Sequence, residues 1–390
     1  MTTPTTPWWL GKRGDLLAIA ADRRPRFVYD LATVADRARG LRSALPSVDR
    51  FLYAMKANAH PRVLETLAAE GFGMECVSPG EVDRAREVPG ETVSVLFTPN
   101  FCAFEEYDFA FGRGALVTVD GPQALEARPE TFRGRDILLR VDPGRGFGHS
   151  DKVRTAGGRA KFGQAIDEMD RVAAAADRAG ARVIGLHAHV GSGILDEDVW
   201  GRTGETLAGL RSLFRHLSLL NLGGGLGVAA GPGQEPLDLA AIERGLSSID
   251  ARARGLALWL EPGRYLVSEA GVLLAPVTQV RHKAGVRFVG IGTGMNSLIR
   301  PSLYGAWHGI HNLTRIAEAP IGPAHVVGPI CESSDVLGAD RPLPECVPGD
   351  TVLIENCGAY GAAMSSRYNL REPAEEVCLD GPRASRAAAK

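Results

Sequence analysis

Short apolar runs that end in polar or turn residues recur along the first two thirds of the chain. Between about residue 50 and residue 265 they alternate with stretches whose apolar side chains repeat at helical spacing. Runs of this kind predict buried strands, here 51–56, 72–78, 93–98, 115–120, 136–142, 183–191, 217–222 and 257–261. Eight strands that alternate with helices predict an α/β fold, a (β/α)8 TIM barrel.

Amphipathic helices are predicted between these strands. The segment 164–179 places Ile166, Met169, Val172 and Ala173 on one helical face. Similar spacing predicts helices over 60–70, 79–87, 198–214 and 238–253. A doubly wound sheet would need fewer strands and a switch point, so the full set of eight favours the barrel.

The pattern changes after residue 265. Runs rich in valine and threonine, separated by glycine and proline turns, predict an antiparallel β domain with strands at 272–280, 286–291, 325–328 and 351–355. The run 27–29 is a candidate additional strand of that domain. The predicted organisation is an N-terminal segment that joins the β domain (1–32), the barrel (33–270), the β domain (271–380) and a disordered tail (381–390).

Composition and charge narrow the class of ligand. Of 390 residues 45% are hydrophobic and 23% are charged, which is ordinary for a globular protein. The formal net charge of −2 provides no basic field for nucleic acid or an anionic membrane, so a small molecule is expected. There is no apolar run of about 18 residues and the N-terminus lacks the features of a signal peptide. The six cysteines show no metal-binding spacing, so a reduced cytoplasmic setting and no metal are expected.

Candidate chemistry gathers at the predicted strand ends. Functional side chains of a TIM barrel sit at the carboxyl ends of its strands. Lys56 ends the first strand, and Glu75 and Ser78 are expected on the second. The sixth, seventh and eighth strands end in polar or glycine-rich segments that contain His187, His189, Ser192, Gly223, Gly224, Gly225, Glu261 and Arg264. The stability of the fold alone does not explain why so many polar residues occur at these strand ends.

Each of these features also has a structural explanation. A lysine at a strand end is usually solvated, but the apolar run before Lys56 places it at the barrel mouth, where desolvation suits Schiff-base chemistry. Three glycines after a strand either let backbone N–H groups approach a phosphate or form a plain turn. His187 and His189 could bind a metal, pack in the core or stack on an aromatic cofactor. Glu261 could pair with a pyridinium nitrogen or form a rim ion pair with Arg264.

The β domain carries a further candidate in the segment CESSD at 331–335. A free cysteine is ordinarily a small buried hydrophobe. The flanking carboxylates of Glu332 and Asp335 suit Cys331 to proton donation better than to nucleophilic attack as a thiolate.

Together the motifs resemble those of the fold-type III pyridoxal-phosphate decarboxylases, and within them the diaminopimelate decarboxylases. The resemblance covers about residues 25–375. Its motifs are YAMKAN (53–58), HVGSG (189–193), GGG (223–225), EPGR (261–264), RPSLY (300–304), CESSD (331–335) and GAY (358–360). It implies an alanine-racemase-type barrel with a C-terminal β domain and pyridoxal 5'-phosphate as the cofactor. Glu75 departs from the pattern, since many relatives have aspartate there.

The resemblance also implies individual roles. Lys56 would carry the cofactor and Cys331 would donate a proton. His189 would stack on the ring and Glu261 would pair with its nitrogen. Further cofactor contacts are implied for Ser192, Gly223, Gly224, Gly225, Arg264 and Tyr360. Substrate contacts are implied for Arg264, Arg300, Tyr304, Glu332 and Tyr360. Because the cysteine loop completes the partner's site in this family, a homodimer with shared active sites is expected.

The expected reaction is decarboxylation of meso-2,6-diaminopimelate to L-lysine and carbon dioxide, the last step of lysine biosynthesis. The distal end of that substrate carries a carboxylate, which suits Arg300, and an ammonium, which suits Glu332. One alternative is a related decarboxylase for ornithine, arginine, lysine or carboxynorspermidine. Others are a metal-dependent barrel hydrolase that uses His187, His189 and a carboxylate, and a non-catalytic pyridoxal-phosphate carrier, which would have no use for Cys331 and Arg300.

Overall fold

A computed structural model of the protein describes residues 6–88, 93–148, 155–158, 160–252 and 255–379. The tail expected at 381–390 lies outside these ranges. The chain divides into two compact units. The barrel unit comprises Arg37–Ala229 and Glu235–Tyr265, and the β unit comprises Met1–Asp36, Ala230–Gln234 and Leu266–Lys390.

The barrel unit contains a closed ring of eight parallel strands. Elements are numbered in order along the whole chain. The ring strands are β2 (Arg50–Ala54), β3 (Gly73–Cys76), β4 (Val95–Phe97), β5 (Leu116–Val119), β6 (Asp136–Asp142), β9 (Arg182–His187), β11 (Leu219–Asn221) and β12 (Ala257–Leu260). Their order around the ring is β5-β4-β3-β2-β12-β11-β9-β6, and a β5–β6 pairing closes it. The predicted TIM barrel is therefore confirmed.

Helices and three short strands fill the connections between the ring strands. The helices are α4 (Pro61–Ala69), α5 (Pro79–Arg86), α6 (Glu105–Gly112), α7 (Pro122–Ala127), α8 (Pro129–Phe132), α9 (Met169–Ala179), α10 (Asp198–Ala208) and α11 (Leu239–Arg252). The short strands are β7 (Phe147–Gly148), β8 (Gln164–Ala165) and β10 (Gly191–Ser192). Helices α3 (Leu31–Ala44) and α12 (Arg264–Val267) span the points where the chain passes between units.

A layer of leucines from alternate strands fills the barrel interior. Leu52, Leu96, Leu138 and Leu219 form one buried cluster, together with Trp259, and lie on β2, β4, β6 and β11. Two of the intervening strands carry glycine at this level. Because a side chain on Gly73 would collide with Leu52, and one on Gly185 would lie 2.7 Å from Leu138 and Leu219, these glycines make room for the leucines. Alternate strands supply the side chains of a layer in this fold.

The β unit is a largely antiparallel sheet. Its strands are β1 (Arg26–Asp30), β13 (Gly271–Lys283), β14 (Val286–Ile291), β15 (Ile310–Asn312), β16 (Gly322–Val327), β17 (Val336–Leu343), β18 (Thr351–Ile354) and β19 (Glu375–Leu379), and its helices include α1 (Trp8–Gly11), α2 (Arg13–Ile19) and α13 (Arg300–Tyr304). The main order is β15-β18-β13-β14-β16-β17, and β1 pairs with β13 and β19. The β1–β19 and β14–β16 pairs are parallel. Trp9, Leu16, Val28 and Leu353 belong to its apolar core.

Several local features differ from the sequence prediction. The helix expected at 164–179 begins at Met169, and Ile166 lies in a preceding 3-10 turn with its side chain exposed. Ser78 does not lie on a strand but caps α5, where its hydroxyl accepts a hydrogen bond from the N–H of Glu81. Strands β15, β17 and β19 had no clear apolar run in the sequence. No helix in the described ranges is long and apolar enough to cross a membrane.

Candidate active site

Lys56 lies in a 3-10 turn just beyond the end of β2. Its neighbours Met55 and Ala57 are buried. The ammonium of Lys56 donates a hydrogen bond to Glu75 Oε2 over 2.7 Å, and Glu75 is itself buried on β3. Burial raises the pKa of the Glu75 carboxyl to about 7, and the nearby Lys56 ammonium only partly offsets this. Glu75 therefore sits near its own titration point at neutral pH.

A cavity opens beside Lys56, at the carboxyl ends of the ring strands. Its volume is about 210 Å³. It is lined by Lys56, Glu75, Val77, Thr98, Asn100, Arg140, Thr155, Phe162, His187, His189 and Glu261. The cavity thus joins the amine of a lysine to carboxylates and imidazoles from several strands, as expected for the functional end of a TIM barrel.

Glu261 follows β12, and both of its carboxylate oxygens accept hydrogen bonds. Asn221 Nδ2 donates to Oε1 over 2.8 Å, and His187 Nε2 lies 3.2 Å from Oε2. All three residues are buried. Burial by itself raises the pKa of Glu261, but His187 and the charge of Lys56 outweigh burial and lower that pKa to about 2. The carboxylate is therefore ionised at neutral pH although it is buried.

Sequence reasoning missed Asn221. Its one visible signal was a polar residue inside the apolar run LSLLNL (217–222). Asn221 Oδ1 also accepts a hydrogen bond from the N–H of Gly223 over 3.0 Å. One buried side chain therefore links the Glu261 carboxylate to the start of the glycine loop (Gly223–Gly225).

His189 is held as a neutral ring by the same loop. Its Nδ1 accepts a hydrogen bond from the N–H of Gly224 over 3.0 Å, so this nitrogen carries no proton. Burial, together with the positive charges of Lys56 and Arg140, lowers the pKa of His189 well below its ordinary value of 6.5. An uncharged imidazole with a fixed orientation suits stacking on an aromatic ring.

The glycine loop brings three strand ends together where a side chain would not fit. A Cβ on Gly224 would overlap the carbonyl oxygen of Glu261, and one on Gly223 would lie 2.6 Å from the carbonyl oxygen of Ala188. Gly223 and Gly225 also have φ values of 64° and 93°, which other residues rarely adopt. Since the N–H groups of Gly223 and Gly224 already donate within the protein, a phosphate needs further donors.

Arg264 and Ser192 supply such donors. Arg264 Nη2 lies 3.0 Å from Ser192 Oγ, and both side chains belong to the barrel unit. A guanidinium beside a hydroxyl offers a positive charge and hydrogen-bond donors to one anion. This pair fits the phosphate end of the expected cofactor better than the glycine N–H groups alone do.

The remaining candidate residues lie in the β unit. Arg300 and Tyr304 are the first and last residues of α13. Cys331 and Glu332 are exposed in the loop before β17. The N–H of Cys331 donates to Asn369 Oδ1 over 2.7 Å, which fixes the loop at that point. Tyr360 has a φ of 57°.

β9 ends at His187, so His189 lies beyond the strand on which the sequence placed both histidines. His187 contacts Glu261, and His189 contacts Gly224. Within the described part of the chain, no three His, Cys, Asp or Glu side chains are grouped as ligands for a metal ion.

Comparison with known proteins identifies the relatives of this chain. Residues 31–268 match the family model "Pyridoxal-dependent decarboxylase, pyridoxal binding domain". The diaminopimelate decarboxylase of Methanothermobacter thermautotrophicus is 36% identical over 376 residues, which cover 92% of this chain and 87% of that protein. The Streptomyces coelicolor diaminopimelate decarboxylase is 33% identical, over 94% of this chain and 88% of that protein.

Solved structures show the same similarity. Diaminopimelate decarboxylase from Helicobacter pylori, crystallised with L-lysine, superposes with a TM-score of 0.85 at 28% identity, over 94% of each chain. Lysine/ornithine decarboxylase from Vibrio vulnificus, crystallised with putrescine, has a TM-score of 0.80 at 23% identity, over 94% of this chain and 98% of that one. At 23% identity, the similarity to the Vibrio vulnificus enzyme shows only that the two chains share a fold.

Proposed function

The chain belongs to the pyridoxal-dependent decarboxylases, and from this membership we propose that it decarboxylates meso-2,6-diaminopimelate to L-lysine and carbon dioxide. It is a carboxy-lyase, and its cofactor is pyridoxal 5'-phosphate. The observation that carries the proposal is the agreement along most of the chain with enzymes of this activity. The lysine, ionised carboxylate and neutral imidazole at the barrel mouth are the groups that this chemistry requires.

The residues at the barrel mouth fit the cofactor by their donor chemistry. Lys56 offers an amine for covalent attachment, and the buried, ionised Glu261 offers a partner for a protonated ring nitrogen. His189 offers a neutral face for stacking. Ser192 and Arg264 offer adjacent donors for the phosphate. The glycine loop and Tyr360 complete the proposed cofactor contacts.

Bound pyridoxal phosphate supplies an electron sink for the pair left behind when the carboxyl group departs as carbon dioxide. Glu261 keeps its negative charge in the low-dielectric interior and so holds a proton on the ring nitrogen. Lys56 is the residue that would hold the cofactor, through Nζ. Glu75, whose pKa burial raises to about 7, would accept a proton from the Lys56 amine and return it. Cys331 would supply a thiol proton to the carbon that loses the carboxyl group.

Substrate selection is assigned to the β unit. A guanidinium pairs with a carboxylate through two parallel hydrogen bonds, and Arg300 is assigned to the distal carboxylate. Glu332 is assigned to the distal ammonium. Contacts from Arg264, Tyr304 and Tyr360 are proposed along the rest of the substrate. Ornithine and arginine have no distal carboxylate, so Arg300 is the group that would favour diaminopimelate over them.

The domains and the assembly form part of the proposal. The cofactor-binding barrel is assigned to 33–270, and the β domain to 271–380 with the joining segment 1–32. We propose that the protein is a homodimer in which the loop with Cys331 completes the partner's active site. The exposure of Cys331 supports this, since a proton donor must be shielded from water during the reaction.

A decarboxylation panel tests the activity. Carbon dioxide release from the purified holoenzyme is measured with meso-diaminopimelate, L-lysine, L-ornithine and L-arginine. We expect kcat/KM for meso-diaminopimelate to exceed the others by at least about 100-fold, because substrates without the distal carboxylate cannot form the charged, bidentate pair proposed with Arg300. Equal turnover of ornithine or arginine would reject the substrate assignment. Borohydride reduction followed by peptide mapping tests Lys56, and a pyridoxyl group on another lysine would reject its role.

A further inference from the structure

Arg300 has a buried histidine as its neighbour inside the β unit. His308 is fully buried, and Arg300 is 7% exposed. Arg300 Nη1 lies 3.1 Å from His308 Nε2. On the other side of the ring, His308 Nδ1 lies 2.7 Å from the backbone carbonyl oxygen of Glu355. The imidazole thus bridges a guanidinium and a carbonyl.

The chemistry of these two partners fixes the protonation state of the ring. A carbonyl oxygen can only accept a hydrogen bond, so His308 Nδ1 must carry a proton. A guanidinium can only donate, so His308 Nε2 must present a lone pair to Arg300. The two contacts together require the neutral tautomer that is protonated on Nδ1. A charged imidazolium would place an N–H against the N–H of Arg300.

A neutral acceptor such as His308 does not cancel the positive charge of Arg300 at this contact. A carboxylate in the place of His308 would satisfy the guanidinium and cancel its charge. The imidazole takes one N–H and fixes the plane of the guanidinium, while the positive charge stays uncompensated by this contact. A guanidinium with a fixed plane is what bidentate pairing with a carboxylate requires.

We propose that His308 is a positioning residue that sets the orientation of Arg300 and thereby the preference for ligands with a distal carboxylate. The inference rests on the proposed function, in which Arg300 binds that carboxylate. When meso-diaminopimelate loses one carboxyl group as carbon dioxide, the distal carboxylate becomes the carboxylate of L-lysine. L-lysine therefore carries the group that Arg300 recognises, and cadaverine, its counterpart without a carboxylate, does not.

Two amide variants test the contacts of His308 Nε2 and of His308 Nδ1 separately. The glutamine of H308Q places its amide oxygen near the position of Nε2, where it can accept from Arg300. The asparagine of H308N reaches only the position of Nδ1, where it can donate to Glu355 but cannot contact Arg300. Both variants are smaller than histidine and remain polar, so each is a control for the other.

The experiment measures the dissociation constants of L-lysine and cadaverine from the holoenzyme, through the cofactor absorbance. For H308N we expect L-lysine to bind about 10- to 100-fold more weakly, and cadaverine to change less than about 2-fold. H308Q is expected to stay within about 3-fold of the wild type for both ligands. The KM for meso-diaminopimelate should rise in H308N with a smaller change in kcat.

Other outcomes overturn the inference. If H308N weakens L-lysine and cadaverine equally, or if H308Q is as impaired as H308N, His308 serves only to fill the core. If H308N does not fold, H308E replaces it. Its carboxylate should engage the charge of Arg300 and remove the preference for L-lysine, and unchanged L-lysine binding in H308E rejects the inference.

A parallel variant tests the premise separately. R300Q should weaken L-lysine but not cadaverine. If R300Q binds L-lysine like the wild type, the proposed substrate role of Arg300 is wrong, and the role of His308 falls with it. If R300Q weakens the binding of L-lysine but not of cadaverine, and H308N shows no such difference, the proposed function stands and only the inference about His308 is rejected.

Discussion

At the scale of single residues, Asn221 holds the Glu261 carboxylate in place through a hydrogen bond. Its amide donates to the carboxylate of Glu261, and its amide oxygen accepts from the N–H of Gly223. A lysine in the place of Asn221 would cancel the negative charge of Glu261 through an ion pair, and an apolar side chain there would favour protonation of the carboxyl group. A neutral amide supports the negative charge and leaves it available to a cofactor.

Replacing this amide by a carboxylate should weaken cofactor binding. In N221D the acceptor for Gly223 remains, but two buried carboxyl groups face each other and must share a proton, which raises the pKa of Glu261. We expect the dissociation constant of pyridoxal phosphate to rise about 10-fold or more, since one pKa unit corresponds to a tenfold change. Absorbance titration of the apoprotein measures it.

N221L serves as the comparison, because it loses both hydrogen bonds at similar volume. If N221D and N221L lose the same affinity for pyridoxal phosphate, the effect comes from the contact of Asn221 with Glu261. Wild-type affinity in N221D would contradict the role of Asn221.

Glu75 gives the apoprotein a pH-dependent stability. Burial raises its pKa to about 7, above its ordinary value of 4.5. The folded protein therefore keeps a proton that the unfolded chain releases between these pH values. The stabilisation is fully present below pH 4.5 and is lost as the pH rises through 7.

The E75Q variant mimics the protonated carboxyl at every pH. The free energy of unfolding of E75Q relative to the wild type should therefore increase by up to roughly 3 kcal/mol as the pH rises from 5 to 8. Urea unfolding of the two apoproteins at both pH values measures the gain. E235Q, which changes an exposed carboxylate, is the control and should show no such gain. A pH-independent difference between E75Q and the wild type would contradict the burial argument.

At the scale of elements, the glycine loop determines how closely the ends of β9, β11 and β12 approach. The N–H of Glu261 donates to the carbonyl oxygen of Gly223 over 2.8 Å, and Trp200 Nε1 donates to the carbonyl oxygen of Gly224 over 3.0 Å. A side chain on Gly224 would meet the backbone of Glu261, which cannot move aside as a flexible side chain can. The position of Glu261 therefore depends on the absence of a side chain in the loop.

G224A should lower both the stability of the barrel and its affinity for pyridoxal phosphate. An overpacked buried site costs about 1–3 kcal/mol, and displacement of Glu261 adds the loss of the ring partner. Thermal unfolding and cofactor titration measure the two effects. G231A is the matched control, since its added methyl group would make only ordinary contacts, the nearest at 3.7 Å. If G224A behaves like G231A, the close approach is not essential.

At the scale of the whole molecule, the proposed homodimer makes a prediction about mixed subunits. K56A and C331A should each form inactive homodimers. The two variants are then unfolded together and refolded, so that mixed dimers form. If each active site takes Lys56 from one subunit and Cys331 from its partner, one of the two sites in a mixed dimer has both residues intact. Random pairing then restores roughly a quarter of the wild-type activity.

Activity at background level in the mixture, with mixed dimers demonstrated by differential tags, would place both residues of a site in one subunit. A monomeric wild-type protein in light scattering would reject the dimer itself.

The local pattern of the sequence was enough to predict most elements of the barrel. The eight ring strands fall at the predicted apolar runs because each is buried on both faces and so reads as a largely apolar segment. The short strands β7, β8 and β10 were not predicted as separate strands. The β unit was predicted less completely. Strands β15, β17 and β19 are short or carry polar and glycine residues, and their pairing partners are distant in the chain. Their formation depends on those partners more than on their own composition.

The sequence by itself determined the barrel, the identity of Lys56, Glu261 and the glycine loop as candidates, and the family. These follow from periodicity and from motifs, which are properties of neighbouring residues. Only the tertiary structure decided that Asn221 and His187 hold Glu261, that Gly224 fixes the tautomer of His189, and that His308 faces Arg300. A hydrogen bond depends on distances between atoms to within a few tenths of an ångström. The barrel contacts of His189, Asn221 and His187 join residues 35 or more positions apart, which meet only when the barrel closes. Arg300 and His308 meet only in the folded β unit.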